Sequence, residues 1–90
     1  MTMATTAAGF RLRRTVPHQL TVEGAGFTLG VAGMRSDPDR VVVQVATAGA
    51  RPRREELVPG EVLTVGSERW RLVSLVVGAR GTADFVRASE

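Results

Sequence analysis

The feature that most constrains this chain is a two-residue alternation of apolar and polar side chains, carried by short Val- and Leu-rich runs that Gly and Pro separate. An extended backbone sends successive side chains to opposite faces, so each run reads as a strand with one buried face. No comparable apolar stripe at helical spacing competes with it.

Residues 10–16 (FRLRRTV) set Phe10, Leu12 and Val16 on one side and Arg11, Arg13 and Thr15 on the other, with Arg14 interrupting the apolar side. A strand with one charged, wet face suits a sheet edge. Pro17 lacks the amide proton that a ladder needs and ends that strand, after which residues 19–23 alternate again with Leu20 and Val22 inward. Gly24 and Gly26 mark a turn. Residues 27–34 place Phe27, Leu29, Val31 and Gly33 opposite Thr28, Gly30, Ala32 and Met34, and the two glycines point to a bulge or a close neighbour. Ser36-Asp37-Pro38-Asp39 has turn chemistry and predicts a hairpin. In Arg40–Thr47 both faces are largely apolar, which predicts the central strand.

Residues 53–58 read as a short strand, with a rival helix of one or two turns that Pro59-Gly60 would stop. Residues 61–65 lead through Gly66-Ser67 into residues 69–77, a hairpin signal. There the alternation changes phase: Trp70 and Leu72 share one parity, and Val73, Leu75 and Val77 the other. A β-bulge around Leu72 to Ser74, or burial on both faces, reconciles them. Gly78 and Gly81 flank Arg80 in a last turn, and Thr82–Arg87 closes the chain with Ala83 and Phe85 on one face.

The expected architecture is all-β: a small antiparallel β-sandwich or β-barrel of six to seven short strands over residues 10–88, preceded by a disordered tail over residues 1–9. Its expected centre is Arg40–Thr47 paired near residues 70–77. At 90 residues there is length for one core only. With no Cys, neither disulfides nor a thiolate metal site can supplement burial. The first residues lack the basic and apolar regions of a secretory signal, and no run approaches the ~18 apolar residues of a membrane span. The expectation is a cytoplasmic protein with no membrane contact.

All twelve cationic side chains are Arg, and the formal net charge is only +3. The high sequence pI of about 11.3 arises because almost nothing titrates between the His and Arg ranges. Residues 23–90 hold nine Arg and nine acidic groups, so the excess rests on Arg11, Arg13 and Arg14.

Chemistry-bearing patterns are sparse. His18 is the only histidine and has no Cys or second His with which to share a metal. Asp37 and Asp39 lack the further oxygen ligands of a calcium loop, and turn formation explains them. Gly24-Ala25-Gly26 precedes a strand rather than the helix that a phosphate-cradling loop requires. Glu55, Glu56, Glu61 and Glu68 read as solvated charge beside Arg53 and Arg54. The expectation is therefore a non-enzymatic module with no cofactor and no metal.

Two candidate surfaces remain. Arg11, Arg13 and Arg14 form a candidate anion-binding strand, joined by Arg51, Arg53 and Arg54 if the two segments are adjacent. Nucleic acid is the weaker ligand reading, because Phe10, Phe27, Trp70 and Phe85 all have core parity and leave no stacking platform. Trp70 between Arg69 and Arg71 is a core anchor flanked by outward guanidiniums or, if exposed, the centre of a protein interface. The expected partner is another protein or a second copy of the chain.

The stretch LVPGEVLTVGSERWRLVSL over residues 57–75, with SDPDRVVVQV before it, resembles uncharacterised small actinobacterial all-β proteins of a domain-of-unknown-function family. The likeness rests on turn and strand residues over about two thirds of the chain. It implies the fold and brings no activity with it.

Overall fold

The computed structural model describes residues 9–88. The tail expected over residues 1–9 lies outside them except for Gly9, which begins the first strand. Eight strands form: β1 (Gly9–Arg13), β2 (His18–Val22), β3 (Ala25–Arg35), β4 (Arg40–Thr47), β5 (Arg53–Leu57), β6 (Val62–Val65), β7 (Glu68–Val76) and β8 (Thr82–Arg87). They make two four-stranded antiparallel sheets, ordered β1-β8-β7-β6 and β2-β3-β4-β5. The molecule is an open sandwich, not a barrel. No helix among the described residues is long and apolar enough to cross a membrane.

The inner faces follow the alternation. Leu12, Leu63, Val65, Trp70, Leu72, Ala83 and Phe85 from one sheet meet Val22, Leu29, Val41, Val43, Val45 and Leu57 from the other in one buried cluster. Trp70 is only 2% exposed, so it is a core anchor and its ring is not an exposed interface residue. Phe10 packs edge-on against it at 4.9 Å and stacks on Phe85 at 5.2 Å, while the Arg87 guanidinium lies 5.2 Å from the indole centroid. Among the described residues the buried indole Nε1 has no hydrogen-bond partner.

Four expectations are corrected. The count is eight strands because residues 53–58 do yield a strand, β5, whose Leu57 seals the core edge. β4 does not pair with β7: β4 lies between β3 and β5, β7 lies between β8 and β6, and the two belong to opposite sheets. Val16 is not inward; β1 ends at Arg13, and Val16 sits in the following turn, 55% exposed. A register shift between Val31 and Gly33 turns the end of β3, so Met34 packs against the core where Gly33 was expected.

The bulge expected in the seventh strand is present as a shift between Leu72 and Ser74. It keeps Trp70, Leu72 and Leu75 on the inner side and leaves both Val73 and Ser74 exposed.

At one end of the sandwich two hairpin tips meet. Glu23 and Gly24 both have positive φ (52° and 84°), as a two-residue hairpin turn requires. Gly66 of the β6–β7 turn lies against Val22, and Ser67 donates to the Glu23 carboxylate at 2.8 Å. At the β5–β6 crossover Pro59-Gly60 occupies the middle of a turn, with Gly60 at φ 100° and Glu61 N–H donating to Val58 O at 3.0 Å.

Replacing Trp70 with Ala is expected to cost about 3–5 kcal/mol of stability, because the surrounding strands cannot collapse into so large a void. Urea unfolding followed by far-UV circular dichroism measures this; a loss below about 1 kcal/mol would contradict the core role.

Candidate functional site

The turn over residues 14–17 carries the chain from β1 in one sheet to β2 in the other, and the turn over residues 77–81 joins β7 to β8. Both lie at the same end of the sandwich because β1 and β8 pair antiparallel, Arg13 opposite Thr82. Val16 N–H donates to Arg13 O at 3.3 Å and Gly81 N–H to Gly78 O at 3.0 Å, closing the two turns. The Arg14 guanidinium bridges them, donating to Gly78 O at 3.3 Å.

Between the turns is a surface cleft of about 310 Å3, lined by Arg13, Arg14, Thr15, Val16, Ala79, Arg80, Gly81 and Thr82. Among the described residues its lining holds three guanidiniums and no carboxylate. The side chains of Arg13 and Arg80 have no hydrogen-bond or ion-pair partner among the described residues. Gly81 forms the base: a Cβ there would collide with Met34 Sδ and stand 2.6 Å from Val76 O, so only glycine lets β3 close beneath the turn.

The candidate strand is thus divided. Arg13 and Arg14 line the cleft, but Arg11 points to Asp84 on β8, with Nε 2.7 Å and Nη2 3.2 Å from the two carboxylate oxygens. That hydrogen bonding, and then the carboxylate charge, holds the Arg11 guanidinium above its ordinary range. Arg53 and Arg54 do not join the set. They lie on β5, at the far edge of the other sheet from β1. There Arg53 pairs with Glu55 and donates to Thr64 O, and Arg54 donates to Gln44 at 3.0 Å. Arg80 takes their place. Its only signal in the sequence was a pair of flanking glycines, and its meeting with Arg13 and Arg14 depends on the β1–β8 pairing.

The remaining candidates are placed elsewhere. Arg69 and Arg71 stand on the outer face of their sheet, Arg71 donating to Gly60 O at 2.8 Å and Arg69 engaged in an interaction of its own. His18 begins β2, half-buried, and stacks on Phe10 at 4.7 Å. Neither it nor Glu61 nor Glu68 lines the cleft: Glu61 accepts from Val58 N–H at 3.0 Å, and Glu68 pairs with Arg87 at 3.2 Å. Among the described residues no three His, Cys, Asp or Glu side chains converge as a metal site would need.

Fold and cleft together define a small two-sheet β-domain with a cationic recess at one end. By sequence the chain belongs to a family of unknown function, DUF6406, whose family model matches residues 7–88. A search of curated proteins found no match to the chain, and neither did a search of solved structures.

Two substitutions test the geometry. Gly81→Ala is expected to destabilise the fold by about 1–3 kcal/mol through overpacking, read as a lowered urea midpoint; an unchanged midpoint would contradict the close packing. Asp84→Asn releases Arg11 beside the cleft and is expected to tighten binding of any anionic probe at low salt, whereas weaker binding would show that the ion pair organises the recess.

Proposed function

We propose that this protein is a non-enzymatic binding module that holds an anionic group of its partner in the cleft between the 14–17 and 77–81 turns. One observation carries the reading: Arg13, Arg14 and Arg80 share a recess that no carboxylate of the described residues lines. Elsewhere among the described residues six of the eight carboxylates are engaged, while the side chains of Asp37, Asp39, Arg35 and Arg51 are not. Asp84, Glu56, Glu55 and Glu68 each pair with an arginine, and Glu23 and Glu61 each accept a hydrogen bond. Three unneutralised guanidiniums in one recess repel each other, and a bound carboxylate or phosphate relieves that repulsion.

The lining supports binding rather than turnover. Thr15 and Thr82 supply hydroxyls, but neither has a His or carboxylate beside it in the cleft to act as a base. A volume of about 310 Å3 suits one charged group with a little apolar contact from Val16 and Ala79.

Thermal unfolding in phosphate and in chloride, matched for ionic strength, tests the reading. Phosphate is expected to raise the midpoint by linkage, and the variant R13Q/R14Q/R80Q is expected to lose that rise. An equal response of the wild type to both salts would overturn it.

A further inference from the structure

The cleft does not end at the turns. Arg13 pairs with Thr82, and Thr82 pairs on its other side with Val76, so one cross-strand row runs from the recess onto the outer face of the β1-β8-β7-β6 sheet. Val76 is 56% exposed and stands two strands from Arg13, about 10 Å away. The bulge at Leu72/Ser74 turns Val73 out on the same strand, 48% exposed, and Val86 follows on β8, 38% exposed. Val16, on the rim of the recess, completes the set of large exposed hydrophobic residues among the described residues. All four therefore lie either in the recess or on the sheet face that opens from it.

The charge on this surface is one-sided. Among the described residues Arg11, Arg13, Arg14, Arg69, Arg71 and Arg80 stand on the face and its rim against the single carboxylate of Asp84. The rest of the described residues hold six arginines against seven carboxylates. The net positive charge and the exposed valines thus occupy one surface.

We infer that the anionic group held in the cleft belongs to an acidic protein segment that also carries apolar side chains, and that these lie over Val76, Val73 and Val86. The inference rests on the anion-binding reading of the cleft and extends it to the class of partner. Charge complementarity sets the choice. A second copy docking through this face by two-fold symmetry would set the arginines against themselves. A nucleic acid would match the charge but finds no exposed ring on which to stack, since all four aromatic residues are buried or half-buried. An acidic segment satisfies the guanidiniums, and its apolar residues remove the valines from water.

The test is fluorescence anisotropy with two fluorescein-labelled peptides of equal charge, one of alternating Glu and Val and the other oligoglutamate, and with a single-stranded oligonucleotide. Wild-type protein is expected to bind the Glu–Val peptide about tenfold more tightly than oligoglutamate. The variant V73S/V76S/V86S is expected to bring the two peptides level without weakening oligoglutamate, and V76S alone to do so in part. R13Q/R14Q/R80Q should lose both. Circular dichroism on each variant confirms that it is folded. Equal affinity of the wild type for the two peptides, or valine variants that still prefer the Glu–Val peptide, would overturn the inference and leave the cleft reading standing. Failure of either peptide to bind would defeat both, and tighter binding of the oligonucleotide would give the surface to nucleic acid instead.

Discussion

The inner faces of the two sheets must interdigitate along their whole length, and almost everything else in the structure follows from that constraint. Trp70, Phe85, Leu12 and Leu72 fill one side, and Leu29, Val41, Val43 and Val45 the other. Since the side-chain period is two, one slipped residue would move a whole strand's apolar set into water. The chain absorbs two such slips with bulges, at Val31/Gly33 and at Leu72/Ser74, and each changes what the outside presents. The first brings Met34 under Gly81 and so seats the turn that carries Arg80. The second turns Val73 outward. Core packing thus shapes the recess and the face beside it.

Much of the fold was legible because burial and parity are local properties. The alternation located seven of the eight strands and left residues 53–58 open between a strand and a short helix, the phase change at residues 70–77 located the bulge, and Pro59-Gly60 located a turn. Pairing was not legible. The largely apolar character of Arg40–Thr47 says that it lies inside a sheet, but not which strands lie beside it, and in fact it is separated from β7 by the core. Val16 was misread for a related reason. Parity alone made it an inward residue, whereas the strand stops at Arg13 so that the chain can cross to the other sheet.

The cleft shows the same limit from the side of function. Arg13 and Arg14 were visible as excess charge, but Arg11 beside them is matched by Asp84, seventy-three positions along the chain. Arg80 joins them only through the antiparallel pairing of β1 with β8. A charge count along the sequence cannot separate a guanidinium with a carboxylate across the ladder from one without. The fold makes that separation by leaving Asp84 at the edge of the recess and no acidic residue within its lining.

The central claim is that one surface, the recess with the valine face beside it, receives the partner. Backbone amide shifts in a heteronuclear NMR titration with the Glu–Val peptide test it most directly. Perturbations are expected to cluster in residues 13–16 and 78–82 and to continue along the outer positions of β7 and β8. Perturbations centred on the outer face of β3 and β4, or spread evenly over both sheets, would contradict it.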